Sequence, residues 1–143
     1  MNKPVVFLRI ASVLTFIHAV LHTIGGVFGK VNPGPAAVAV AAMKANQILV
    51  MGSLRSFWDF YFGLGLALSI SMTAESILMW QLASLAKTEA RRLRPMMITF
   101  LVAYVVIAIN SNLHFFVAPV VVEILIALCF VFAIATTKSQ AAA

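Results

Sequence analysis

Four long apolar stretches run along the chain, separated by breaks that carry its charges and most of its turn-forming residues. They cover about 5–27, 57–80, 95–115 and 118–136. Each approaches the roughly 20 residues that a helix rising about 1.5 Å per residue needs to cross about 30 Å of hydrocarbon. Pro95 stands at the favoured first position of the third helix. The link Phe116–Pro119 is so short that the third and fourth spans must be antiparallel neighbours. The first connection is different. It opens with the turn sequence Asn32-Pro33-Gly34-Pro35 and continues through 36–51 as an alanine- and valine-rich stretch with Lys44, Asn46 and Gln47. This segment is too short and too interrupted for a further span, and it predicts a helix lying on the membrane surface. Such a helix would act as a lid over the bundle mouth or as a plain interfacial connector. The predicted fold is therefore all-α: a four-helix transmembrane bundle with an extra amphipathic surface helix between spans 1 and 2. One membrane domain covers 1–138, and 139–143 forms a disordered polar tail.

Composition makes lipid the expected solvent. Of 143 residues 63% are hydrophobic and 10% charged, with mean hydropathy +1.06. A soluble domain carries far more charge, and a chain this short cannot hide so much apolar surface in a water-soluble core. The net charge of +6 does not imply nucleic acid, because the basic residues sit at the ends of apolar runs rather than on one folded face. Lys87, Arg91, Arg92 and Arg94 crowd the connection between the second and third spans, with Lys3 before the first and Lys138 after the fourth. By the positive-inside bias, this puts both termini in the cytoplasm; Lys30, Lys44 and Arg55 weaken the bias without reversing it. The first run continues past Val20 without a small-residue cleavage site, which predicts a retained helix rather than a signal peptide. The lone Cys129 lies in an apolar run and reads as a small hydrophobe.

Ionisable groups inside spans are costly and mark functional sites. Counting the helical rise from the expected span edges puts His18, Asn110 and Glu123 in one tier of the outer half, with His22, Asp59 and His114 in a shallower tier. His18 and His22 are four residues apart, as are Asn110 and His114, so each pair shares a helix face. The expected catalytic candidates are His18, His22, Asp59 and Glu123. Arg55, Trp58, Tyr61, Asn110 and His114 are the expected ligand-binding residues. Histidines beside carboxylates suit proton transfer on a lipid-like or quinone-like molecule. Three alternatives stay open. His18, His22 and His114 could bind a divalent metal; His22 and His114 could be the axial ligands of a haem; or the groups could only fix the bundle through interhelical hydrogen bonds. Near the opposite edge, Arg9 and Glu75 fall at similar depth and predict an ion pair, the alternative being a proton path through Glu75. Arg55 can reach Asp59 across one turn, Trp58 and Tyr61 suit the interfacial aromatic belt, and Gly25-x-x-x-Gly29 permits close helix approach.

Two stretches carry a family resemblance: Leu8-Arg9-Ile10 with His18 and His22-Thr23-Ile24-Gly25-Gly26, and Met51-Gly52-Ser53-Leu54-Arg55-Ser56-Phe57-Trp58-Asp59-Phe60-Tyr61-Phe62-Gly63. They resemble an uncharacterised family of small bacterial multi-pass membrane proteins, and the chain's size and first-helix texture are also similar to DoxX-like four-helix proteins. The resemblance implies a bacterial inner membrane and no particular activity, and it singles out His18, His22, Arg55, Trp58 and Asp59. The expected partners are the lipid bilayer and a small amphipathic ligand, with a homo-oligomer as an open alternative.

Overall fold

The computed structural model describes residues 2–139, with the side chains of 138 and 139 excepted. Of the expected polar tail, Ser139 is the last residue of a helix, and 140–143 lie outside the described residues, as does the Lys138 side chain. In chain order the elements are α1 (Lys3–Leu21), a π-helical turn (His22–Val27), α2 (Pro35–Ala45), β1 (Gln47–Val50), β2 (Ser53–Ser56), α3 (Phe57–Glu89), α4 (Arg94–His114) and α5 (Val117–Ser139). Four helical segments are long and apolar enough to cross a membrane: Lys3–Val27, Phe57–Glu89, Arg94–His114 and Val117–Thr137. The all-α bundle expected from the sequence is the fold of this membrane protein.

The chain forms two compact units. The first comprises 1–18 and 72–143, and it is the bundle proper: the first part of α1, the second half of α3, and all of α4 and α5. Its core takes Leu8 from α1, Met79 from α3, Met97 from α4, and Ile126 and Phe130 from α5, all fully buried. Ala11, Ala83, Ala86 and Ala133 are buried among them. Such small side chains let helix backbones approach closely, which matters most where lipid offers no hydrophobic drive between helices. Phe100 stacks on Phe130 with ring centroids 5.3 Å apart. The outward faces are apolar as well: Val102, Val106 and Ile109 on α4 and Val121, Leu125 and Leu128 on α5 are exposed. Continuous exposed apolar faces of this extent would drive association in water and suit acyl chains.

The second unit, 19–71, holds the end of α1, the π-helical turn, α2, the hairpin and the first half of α3. Here the structure corrects the expected surface helix over 36–51. The helix stops at Ala45, where Asn46 turns extended and both its backbone N–H and its side-chain amide donate to the Ala42 carbonyl. The chain then forms an antiparallel β-hairpin in the register Gln47↔Ser56 to Val50↔Ser53. Its two-residue turn has Met51 at φ 48° and Gly52 at φ 81°, the left-handed pair that matches strand twist in a tight hairpin. Gln47-Ile48-Leu49-Val50 is an unbroken run compatible with either state, and Gly52 decides it by accepting the positive φ. Helix α2 buries no residue.

The Gly25-x-x-x-Gly29 spacing has a local cause rather than an interhelical one. A Cβ on Gly29 would collide with the Gly25 carbonyl oxygen, while one on Gly25 would meet open space. Gly29→Ala should therefore destabilise the protein by about 1–3 kcal/mol, the usual cost of forcing atoms into filled space, and Gly25→Ala should cost far less. Unfolding of the two variants in detergent checks the difference.

Candidate functional site

The polar side chains that the bundle gathers are mostly hydroxyls. On α4 the buried positions are Met97, Tyr104, Ala108 and Ser111, a stripe at helical spacing that faces the bundle interior. Glu123 lies on the matching stripe of α5 with Ile126, Phe130 and Ala133. Two hydrogen-bonded groups result. In the first, the Tyr104 hydroxyl donates to Glu75 Oε2 at 2.9 Å and lies 3.2 Å from Thr15 Oγ1, whose own hydroxyl reaches the Ala11 carbonyl at 2.9 Å. This links α1, α4 and α3. In the second, Ser111 Oγ donates to Glu123 Oε1 at 2.9 Å. Glu123 is only 4% exposed, and its second oxygen, Oε2, is buried with no hydrogen-bond partner among the described residues. Tyr104 and Ser111 are seven residues apart on one helix, about 10 Å along its axis.

A third link is structural. Ser12 Oγ donates to the Ser76 carbonyl at 2.8 Å, and Ser76 Oγ donates back to the Ser12 carbonyl at 3.0 Å. The reciprocal pair holds the backbones of α1 and α3 close together, which a larger side chain at either position would prevent.

The Arg9–Glu75 ion pair does not form. Glu75 bonds Tyr104, midway along α4, so it lies at mid-helix depth and not near the edge. The depth expected from the sequence was wrong because α3 continues nine residues beyond Trp80, to Glu89. Arg9 instead sets its guanidinium 4.6 Å from the centroid of the Trp80 ring. Among the described residues the one ion pair is Arg92–Glu89, on the surface.

In the second unit, His22 opens the π-helical turn. Phe28 N–H reaches back five residues to the Thr23 carbonyl at 3.0 Å, and the Thr23 hydroxyl donates to the Ala19 carbonyl at 2.7 Å. One-turn π segments recur at functional sites. Here the turn directs His22 Nε2 to within 3.2 Å of the Gly65 carbonyl on α3. A carbonyl only accepts, so this contact requires the proton on Nε2. Gly65 has no side chain, and a Cβ there would stand 3.1 Å from Val27 Cγ2.

Asp59 is explained by its own helix end. Ser56 N–H and Ser56 Oγ donate to Asp59 Oδ2 at 2.8 and 2.9 Å, and Asp59 N–H donates to Ser56 Oγ at 3.1 Å. This is a capping box, with Ser56 satisfying the first turn of α3 and Asp59 reaching back. The hydrogen bonds, with the charge of Arg55 nearby, tie the carboxylate to the cap. Arg55 itself donates to the Leu54 carbonyl. Trp58 packs on Tyr61 and Phe62 with centroids 5.5 and 6.2 Å apart, and Lys44 Nζ sits 4.8 Å from the centroid of the Trp58 ring. The last contact fastens α2 to the start of α3.

The expected site residues are therefore distributed unevenly. Glu123 is buried and bonded within the first unit. His18 is half-buried on α1. Asn110 and His114 are exposed and make no side-chain hydrogen bond among the described residues. Asn110 precedes Ser111 by one residue, a turn of about 100° that carries it off the buried stripe. Among the described residues no three His, Cys, Asp or Glu side chains gather as a metal-ligand group within either unit, so the set His18, His22 and His114 is not assembled inside either one. No protein family, curated protein or solved structure matches this chain. Sequence reasoning missed Thr15, Tyr104 and Ser111. The 104/108/111 spacing was the available signal, as was Ser-x-x-Asp at 56–59 for the cap.

Tyr104→Phe removes the hydroxyl that lies between Thr15 and Glu75 and should cost about 1 kcal/mol. Ser56→Ala should cost about 1 kcal/mol as a lost N-cap. Unfolding midpoints in a mild detergent give both values, and a null effect for Tyr104→Phe would remove that hydroxyl from the framework.

Proposed function

We propose that this chain is a multi-pass protein of a bacterial inner membrane, with both termini cytoplasmic, as the basic α3–α4 connection favours. It binds a small amphipathic ligand of lipid-like or quinone-like chemistry and does acid–base work on it through Glu123. The observation that carries this reading is the buried Glu123 oxygen without a hydrogen-bond partner among the described residues. Buried polar atoms are nearly always satisfied, and an exception in a span calls for a partner. Glu123 is the seventh residue of α5, about 9 Å from the helix start, a depth that the ring or carbonyl of an amphipathic molecule reaches from the exoplasmic side. The carboxyl O–H passes its proton to a ligand oxygen, and the carboxylate left behind keeps the Ser111 hydroxyl as donor. Return of the proton reverses the step. The Glu75–Tyr104–Thr15 group supplies a second carboxyl at mid-membrane depth. Asp59, Arg55, Trp58 and Tyr61 serve the end of α3, and His22 serves the π-helical turn.

A short-chain ubiquinone is the probe. The purified wild-type protein should bind it, and Glu123→Gln should bind it about fivefold more weakly, the worth of one neutral hydrogen bond, with its unfolding midpoint unchanged. Equal binding by the two proteins, loss of binding together with folding, or no binding by the wild type would each overturn the reading. Topology is read separately by cysteine labelling of intact cells. A membrane-impermeant maleimide should modify Ser53→Cys in the hairpin and spare Thr88→Cys at the end of α3, the native Cys129 being buried. The reverse pattern would invert the orientation.

A further inference from the structure

Arg9 is a charge inside a span that forms no ion pair among the described residues. The chain has four acidic side chains, and each is engaged elsewhere: Asp59 with Ser56, Glu75 with Tyr104, Glu89 with Arg92, and Glu123 with Ser111. Arg9 Nε is buried without a hydrogen-bond partner among the described residues. Its guanidinium carbon sits 4.6 Å from the centroid of the Trp80 ring. Arg9 is six residues into α1, about 9 Å from the helix start, within reach of the headgroup level for a long side chain that snorkels along its helix.

Beside it runs a groove of about 270 Å³ lined by Arg9, Ile10, Val13, Leu14 and Trp80. Apart from Arg9 and the indole N–H its lining residues are hydrocarbon. At the same end of the bundle, Asn2 Nδ2 donates to the Ala86 and Lys87 carbonyls and ties the start of α1 to the end of α3. Lys3, Lys87, Arg91, Arg92 and Arg94 therefore share one end with Arg9, against the single acid Glu89. Arg94 stands at the N-terminus of α4, where the helix dipole disfavours a cation and welcomes an anion; its Nε too is buried without a partner among the described residues.

We infer that this end binds an anionic phospholipid, with one acyl chain along the Ile10–Val13–Leu14–Trp80 groove and the phosphodiester on the Arg9 guanidinium. Charge and shape agree: an apolar slot is bordered by a planar cation that makes no ion pair among the described residues. Arginine suits a phosphodiester better than lysine, because its fork pairs two oxygens while its face stays on the indole. The site lies in whichever leaflet faces the basic end, so it does not depend on the orientation proposed above, nor on the role of Glu123.

The test uses the full chain in a mild detergent, with native mass spectrometry and the unfolding midpoint as readouts. Phosphatidylglycerol and phosphatidylcholine of identical chains are the probes. The wild type should retain phosphatidylglycerol in preference. Arg9→Gln should weaken that retention about fivefold, the worth of one basic side chain near an anionic surface. Lys30→Gln, at an exposed position past the far end of α1 from Arg9, should leave the preference in place. Val13→Phe keeps every charge and fills the groove, so it should lower retention even if Arg9→Gln fails to fold. Equal retention of the two lipids by the wild type would overturn the inference. So would unchanged phosphatidylglycerol binding in a folded Arg9→Gln or Val13→Phe variant.

Discussion

Hydrogen bonds that cross between spans are what the rest of this bundle is arranged around. Inside hydrocarbon no water competes for a hydroxyl or a carboxyl, so each must find its partner in the protein. Ser12 and Ser76 exchange bonds between α1 and α3. The Tyr104 hydroxyl joins Thr15 to Glu75, and Ser111 joins α4 to Glu123 on α5. Such bonds contribute modestly to stability, on average well under about 1 kcal/mol each, because the separated helices also find partners. Their larger effect is on register. A helix slipped by one residue would rotate about 100° and orphan every one of these groups, while the apolar surfaces would slide with little loss.

The same constraint accounts for the two arginines that lack acidic partners. Asp59, Glu75 and Glu123 each bond a hydroxyl and Glu89 pairs with Arg92, and neither Arg9 nor Arg94 forms an ion pair among the described residues. Both lie at the end of the bundle where α1 and α4 begin and α3 finishes. Trp80 provides a polarizable surface on which Arg9 rests.

The second unit solves a different problem, that of leaving and re-entering a span without exposing backbone. The π-helical turn carries one extra residue per turn, and Gly29 allows the chain to pass against the Gly25 carbonyl. The return is a hairpin whose last residue, Ser56, is also the N-cap of α3. Strand and cap share that residue, so the hairpin sets where α3 starts. Lys44 on Trp58 closes the same corner from α2.

Much of the fold was legible in the residues alone. The four spans, the short α4–α5 turn and the basic α3–α4 connection come from hydropathy and charge, because a span's length and flanks answer to the bilayer and not to the rest of the chain. Glu123 was legible for the same reason, as a charge that lipid will not tolerate unaided. Three things were not. The stretch 47–50 fits a helix or a strand, and only its pairing with 53–56 across Met51 and Gly52 chose the strand. The partner of Glu75 depended on where α3 ends, since an error of nine residues in that edge moved it from mid-helix to the rim. The buried face of α4 passes through Ser111 and misses Asn110, a difference of one residue that neighbouring helices impose by packing. One-dimensional hydropathy cannot see rotation about an axis when nearly every face is apolar; the tertiary contacts decide it.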